Sequence, residues 1–367
     1  RDLRMSRGLG DVYKRQITRI ETTANDKFNR DRMGYAGITD ISKYEAYVLE
    51  DGDLLMSHIN SVQYLGRTVL YIKQPDEIII HGMNLLRLKA RRNIINPAYA
   101  RYCFYGHTFR CQIGNITKKS VNQASFAVKD LKQIKIEVPS LDVQNKVVVI
   151  LDRVQKLIDM RNNELASLDD LIKARFVEMF GNPVINEKRW RQKSLGEITT
   201  KIGSGATPKG GKGAYQEEGI TLIRSMNVHN GLFEYKELAH ISDEQATKLD
   251  NVVIEENDVL LNITGASVAR SCVVPSKILP ARVNQHVCII RCKKCINPEF
   301  LNKLLIDDNY QDLLWSIAGA GATREAITKQ QVENLQIIMP PIELQIEFMR
   351  FCNQVNKSKF GKLSTLL

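Results

Sequence analysis

Two similar mixed α/β (α+β) domains separated by one long coiled-coil helix form the fold this sequence predicts, and three observations predict it. Residues 142–180 hold neither Gly nor Pro and stop at Gly181-Asn182-Pro183, a helix end followed by a residue that cannot continue one. Alternate steps of four and three through that stretch visit Val147, Leu151, Val154, Ile158, Arg161, Leu165, Leu168, Ile172, Arg175 and Met179, and eight of the ten are apolar. That is the 3.5-residue seam of a coiled coil, on a helix about 55 Å long at 1.5 Å per residue. The third observation is repetition: six landmarks ahead of the helix return in the same order roughly 200 residues further on.

Taken in order, residues 1–16 show no periodicity and read as a disordered or non-native leader. Residues 17–140 form the first domain. Glu50-Asp51-Gly52-Asp53 is a turn into the strand Leu54-Leu55-Met56, and Gly66-Arg67-Thr68-Val69-Leu70 leads a second strand. The apolar run 77–88 ends at Leu85-Leu86-Arg87, and Asn96-Pro97 opens a helix with Asn as cap and Pro in the first turn. Residues 131–138 alternate as a strand halted by Pro139. The helical spacer, 141–181, follows.

The second domain, 182–341, repeats this order. Glu255-Glu256-Asn257-Asp258 precedes Val259-Leu260-Leu261, so Asp258 stands opposite Asp53. Arg270-Ser271-Cys272-Val273 repeats the second strand, and the run ending at Arg291 matches the one ending at Arg87. Asn297-Pro298 matches Asn96-Pro97, Ile327-Thr328-Lys329 matches the segment around Lys118, and Leu335-Gln336-Ile337 matches the strand before Pro139. Residues 190–208 have no counterpart in the first domain, which is therefore expected to be N-terminally incomplete. Residues 342–367 form a second, shorter helix expected to pack against the first. Arg161 and Arg175, which interrupt the seam, are expected to set register against Glu343 and Glu347.

Composition narrows the partners. The net charge of +11 divides into +3 over residues 1–16, +6 over 17–141, −1 over the helix and +3 over 181–367. Excess positive charge outside the helix suits a polyanion. No run of eighteen apolar residues and no signal-peptide pattern occurs. Seven irregularly spaced cysteines fit a reducing, cytoplasmic setting.

Several stretches together resemble the DNA-specificity (S) subunit of type I restriction–modification systems. They are Ser194-Leu195-Gly196-Glu197-Ile198 leading to Gly203-Ser204-Gly205-Ala206-Thr207-Pro208, then Ile223-Arg224-Ser225-Met226-Asn227 and Asp258-Val259-Leu260-Leu261-Asn262-Ile263-Thr264-Gly265. Asn284-Gln285-His286, Gly321-Ala322-Thr323, Met339-Pro340-Pro341-Ile342-Glu343-Leu344-Gln345 and Arg175-Phe176-Val177-Glu178-Met179-Phe180-Gly181 complete the set. The first copy departs from it, with Ser57-His58-Ile59-Asn60 where the second has Asn262-Ile263-Thr264-Gly265. The resemblance implies two target-recognition domains, each reading one half of a split site in double-stranded DNA. It implies no chemistry in this chain and no directly bound cofactor. In that family methyltransferase (modification) subunits, which bind S-adenosylmethionine, dock on the helices and a restriction/translocase subunit joins for cleavage, and the resemblance implies the same partners here. The setting is DNA methylation and defence against foreign DNA.

Candidate DNA-binding residues follow from side-chain chemistry within these stretches. Gly203, Ser204, Gly205 and Thr207 lead to Lys209 and Lys212, a pattern suited to phosphate contact. Arg224 and Asn227 carry groups matched to guanine and adenine edges. Thr264 and Arg270 flank the Gly265 turn, and Thr323 and Arg324 follow a Gly-Ala-Gly loop. In the first domain the candidates are His58, Asn60, Arg67, Lys118 and Lys119. The partner-helix seam is Val147, Leu151, Val154, Ile158, Leu165, Leu168, Ile172 and Met179. His286 reads as a satisfied core histidine.

Two other readings are weaker. Asn96-Pro97-Ala98-Tyr99 looks like an adenine-methyltransferase motif, yet its counterpart is a helix start and no Gly-rich cofactor loop follows a strand. Cys292-Lys293-Lys294-Cys295 is a single CxxC, and zinc wants four ligands. No metal site is therefore assigned. The alternatives retained are the specificity partner of a fused restriction–methylation enzyme and a coiled-coil scaffold that binds no DNA.

Overall fold

The computed structural model describes residues 14–38, 40–120, 123–208, 210–319 and 325–361. The chain divides into two compact units, Arg1–Met160 and Arg161–Leu367.

In the first unit, strand Leu54–Ser57 lies between Thr68–Leu70 and Leu85–Leu88, antiparallel to both. A second sheet places Lys14–Ile17 antiparallel to Gly34–Gly37 and parallel to Ile79–Ile80. Lys14, Arg15 and Gln16 thus belong to a strand and not to a leader: their backbone is paired, which local periodicity over so short a stretch could not reveal. Asp53 closes the turn ahead of the central strand. It accepts the Glu50 N–H at 2.7 Å and the Arg87 Nε–H at 2.7 Å, with both side chains largely buried. Asn96 caps helix Pro97–Tyr105 by accepting the Ala98 N–H at 2.8 Å, so the motif that resembles a methyltransferase signature is a helix start.

The second unit is built from the same parts. Strand Val259–Asn262 lies between Ser271–Val273 and Val287–Cys292, and Thr199–Ser204 adds a fourth strand beyond the last. Strand Ile220–Ile223 is antiparallel to Ala239–Ile241 and parallel to Ala281–Val283. Asp258, fully buried, accepts the Glu255 N–H at 2.8 Å and pairs with Arg291 at 2.8 Å. Asn297 caps helix Pro298–Leu305. Ala269 and Gly66 both take a φ of +71° at the same place in the repeat, between matching backbone bonds to Asn262 and Ser57.

Within each unit one buried glutamine plays the same part. Gln144, in the first turn of the long helix, accepts the Asn96 N–H at 2.8 Å and donates to the carbonyls of Pro139 and Ile94. Gln345, in the first turn of the trailing helix, accepts the Asn297 N–H at 2.9 Å and donates to the Pro340 carbonyl at 2.8 Å. Both glutamines have no exposed surface. A buried amide that spans a helix cap and a proline turn fixes where each helix leaves its domain, since the backbone groups it satisfies would otherwise be unpaired.

The long helix spans Leu141–Phe180 and the trailing one Ile342–Gly361. In the second unit they pack through Phe176, Phe180 and Phe348, with ring centroids 5.3 to 5.6 Å apart, and through Phe300. Leu165, Leu168, Ile172 and Met179 lie on the covered side, as do Val147 and Leu151 at the other end. Val154 and Ile158 depart from the expected seam, at 47% and 48% exposed. A 20-residue antiparallel helix covers only about 30 Å, and it reaches as far as Arg161, whose guanidinium meets the Lys359 carbonyl. Arg175 pairs with Glu347 at 3.3 Å, whereas Arg161 pairs with Glu164 at 2.7 Å and not with the trailing helix's acids.

Three further expectations change. Residues 132–138 form no strand, and among the described residues no strand lies along them, whereas Gln336–Ile338 pairs with Gln192–Ser194. By ladder register Arg87 faces Leu55 and Ile289 faces Leu260, so the position of Arg291 is taken by Lys89, two residues after Arg87. The counterpart of Ile327 is Phe126: their N–H groups bond the carbonyls of Ile263 and His58 respectively.

Candidate nucleic-acid interface

In the second unit the sharp turn after strand Val259–Asn262 and the end of strand Ile220–Ile223 enclose a polar crevice of about 340 Å3. Ser225, Met226, Thr264, Gly265, Arg270 and His286 line it. Gly265 takes a φ of +72°, which lets the chain reverse, and its N–H bonds the Glu325 carbonyl at 2.9 Å. Thr264 Oγ1 meets His286 Nδ1 at 2.5 Å, His286 Nε2 lies 3.2 Å from Gln285 Nε2, and Gln285 meets Thr207. These contacts bring Thr207, from the Gly-rich loop, into one hydrogen-bonded row with Thr264. His286, read from sequence as a core histidine, lines the crevice with its ring nitrogens engaged. Arg270 is half-buried at the rim, and among the described residues its guanidinium has no partner. Such a row of hydroxyl, amide, imidazole and guanidinium groups presents donors and acceptors of the kind that read base edges.

Other candidates in this unit have different roles. Asn227 is fully buried: its Oδ1 accepts the Arg224 N–H at 3.1 Å and its amide donates to the carbonyls of Glu234 and Lys236. It is a turn-forming residue and has no free edge for a base. Arg224 lies over the Tyr215 ring at 5.4 Å and donates to the Glu237 carbonyl. Gly203 and Ser204 belong to strand Thr199–Ser204, not to a loop. Gly205 is required by packing, because a Cβ there would fall 1.8 Å from the Val283 carbonyl oxygen. Lys209, Thr323 and Arg324 lie outside the described residues, as does the side chain of Lys212.

In the first unit the fold brings His58, Asn60, Lys118 and Lys119 to one small sheet, in which Ala124–Ser125 lies between Ile59–Asn60 and Lys118–Lys119. Both lysines are exposed. Burial holds the His58 imidazole below its ordinary range, so at neutral pH it has no charge to offer a phosphate. Arg67 is committed to Asp26 at 2.8 Å and stacks on Tyr64 at 4.6 Å, which makes it a packing residue. Asn60 accepts the Ser61 N–H at 2.8 Å and turns its chain locally.

Sequence reasoning missed a larger hollow in this unit, about 1050 Å3, bordered by Arg19, Tyr44, Tyr47, Gly82, Met83 and Asn84. Met83 is 93% exposed. Repetition is the signal that finds it. The Arg19 N–H bonds Thr22 Oγ1 at 2.8 Å as the Arg224 N–H bonds Asn227 Oδ1, which makes Arg19 the counterpart of Arg224.

Burial pushes the thiols of Cys272, Cys288 and Cys292 up to about 12, far from nucleophilic range. Among the described residues no three His, Cys, Asp or Glu side chains are grouped to hold a metal ion.

The family model for the type I restriction modification DNA specificity domain matches residues 9–169 and again 187–362. Over 352 residues the chain is 28% identical to a type I restriction enzyme MjaX specificity subunit of Methanocaldococcus jannaschii, covering 90% of this chain and 77% of that protein. A solved structure described as showing complex assembly and conformational transition of the type I R-M system aligns at TM-score 0.54 and 17% identity, over 95% of this chain and 88% of the other. It shares the fold. The type I restriction–modification S subunit of M. genitalium aligns at TM-score 0.48 and 13% identity, over 87% of this chain and 82% of the other.

Proposed function

Because this chain belongs to the type I restriction–modification DNA specificity family, we propose that it is the DNA-reading subunit of such a complex. Each unit meets one half of a split duplex site, and the long helix sets the gap between the halves. The observation that carries this reading is the duplication. The two units share the Asp–Arg turn, the Asn-Pro helix cap and the buried glutamine. A reader built twice on one chain suits a site with two halves. A 40-residue helix is about 60 Å long, enough to span one turn of B-DNA, about 34–36 Å, with its ends embedded in the units.

In this reading the chain performs no chemistry and binds S-adenosylmethionine only through partner methyltransferase subunits. The exposed apolar side chains along the helix, Ile150, Val154, Leu157 and Ile158 among them, are surface for those subunits, and a restriction/translocase subunit joins them. No helix among the described residues is long and apolar enough to cross a membrane, and the proposed setting is the cytoplasm, where the DNA is.

Equilibrium binding of the purified chain to duplex DNA across a salt series tests the reading. A reader with several phosphate contacts loses affinity with a log–log slope of about −0.9 per contact. Weak, salt-independent binding would sink it and favour a scaffold. Methyl transfer by the chain alone would contradict the non-catalytic assignment.

A further inference from the structure

The 3-10 helix Ile20–Asp26 follows strand Lys14–Ile17, and the 3-10 helix Ser225–Asn227 follows strand Ile220–Ile223. Their first turns are held by matching bonds. In the first unit the Arg19 N–H meets Thr22 Oγ1 at 2.8 Å, the Thr22 N–H meets the Arg19 carbonyl at 3.0 Å, and the Thr22 carbonyl accepts the Asn29 N–H at 2.8 Å. In the second the Arg224 N–H meets Asn227 Oδ1 at 3.1 Å, the Asn227 N–H meets the Arg224 carbonyl at 2.9 Å, and the Asn227 carbonyl accepts the Glu234 N–H at 2.8 Å. Thr22 and Asn227 have no exposed surface. A further buried amide steadies the second turn, with Asn262 Nδ2 donating to the Ser225 carbonyl at 2.9 Å.

The residue at the tip of each turn is exposed, and here the two units part. Met226 lines the polar crevice with Thr264 and Arg270, and its equivalent in the first unit is Glu21. The anchors match in geometry while the tips differ in chemistry, a thioether in one unit and a carboxylate in the other. A turn pinned in this way has already lost its freedom on folding, so its tip meets a partner at little further entropic cost. Neither side chain suits a phosphate, since a thioether carries no charge and a carboxylate repels one. Both suit base edges. In the major groove thymine shows a methyl group that takes apolar contact, and cytosine N4 is a donor that a glutamate accepts.

Resting on the proposed DNA-reading function, we infer that the tip of this turn is a specificity-determining position in each unit. Met226 packs on the methyl group of a thymine in one half-site, and Glu21 accepts the N4–H of a cytosine at the equivalent place in the other. The buried Asn227 and Thr22 position these readers and touch no base themselves.

The test starts from duplexes that the full chain selects from a pool randomised in both half-sites. Replacing thymine by uracil removes one methyl group and nothing else. At one thymine that replacement is expected to weaken binding about three- to fivefold, and the loss is expected to vanish in Met226→Ala. Exchanging the tips should exchange the bases. Met226→Glu should turn that selected thymine into cytosine, and Glu21→Met should turn a selected cytosine in the other half-site into thymine, each with a preference of about fivefold or more. Melting curves check that the variants fold, and the uracil series on the unaltered chain stays decisive should one of them not. The inference is overturned if no thymine is sensitive to uracil, if Met226→Ala keeps the sensitivity, or if the exchanged chains select the original bases. In those cases a steep salt dependence of binding leaves the proposed function standing, whereas weak, salt-independent binding overturns both.

Discussion

Replacing Gln345 by Leu preserves much of the side-chain volume and removes both of its hydrogen bonds. The Asn297 N–H and the Pro340 carbonyl then remain in a fully buried place without their partner. Each unpaired buried group costs about 1–3 kcal/mol, so the expected loss is roughly 2–5 kcal/mol, reduced a little by the greater apolarity of Leu. For a unit of this size that lowers Tm by roughly 5–15 °C. Urea and thermal melts measure the loss, and amide exchange locates it: residues 297–301 and 342–346 should lose protection while 96–100 keep theirs. Gln144→Leu should give the mirror image. Gln345→Glu retains an acceptor and puts a carboxyl in a dry site, where the neutral form is favoured. Its folded pKa is then raised, so that variant is most stable at low pH and loses stability as pH rises through the folded value. A change under about 0.5 kcal/mol for Gln345→Leu, or protection lost equally in both units, would refute the claim that this amide anchors the trailing helix.

Three other outcomes are expected. Arg270→Ala should weaken DNA binding and lower the magnitude of the salt slope by about 0.9 if it contacts a phosphate, whereas Asn227→Ala should cost roughly 1–3 kcal/mol of stability; paired binding and melting curves separate the two. Inserting seven residues after Gln155 lengthens the helix by about 10 Å while nearly keeping its rotational phase, so a bipartite site should be bound best with about three more base pairs in its gap, as selection from randomised-spacer duplexes would show. Glu77 is held below the usual carboxylate range by Arg30, whose Nε lies 2.6 Å away, with Tyr71 Oη at 2.9 Å adding a second bond. A depressed acid contributes stability above its unfolded pKa and loses it as pH falls through the folded one. Glu77→Gln should therefore destabilise the first unit at neutral pH, and the difference from the unaltered chain should close as the pH drops below the ordinary glutamate range.

Much of the fold was legible without coordinates because its signals are local. Gly181 and Pro183 end the long helix, Asn96-Pro97 and Asn297-Pro298 begin two others, and Asp53 and Asp258 mark turns into buried strands. Each of these acts within a few residues of itself, so sequence spacing carries it. The duplication was legible for the same reason, since the same local signals return in the same order.

What only the tertiary structure decided depends on neighbours far away in the chain. Asn227 and Arg270 stand in similar polar stretches, yet one is enclosed by the carbonyls of Glu234 and Lys236 and the other lines a crevice. Val154 and Ile158 follow the same apolar period as Ile172, yet only Ile172 lies in a core that the trailing helix helps to build. Residues 132–138 alternate as a strand should, but a strand needs a partner's hydrogen bonds, and the described residues of the first unit supply none where residues 192–194 supply them to the second. Periodicity states which residues seek burial, and long-range packing decides which of them find it.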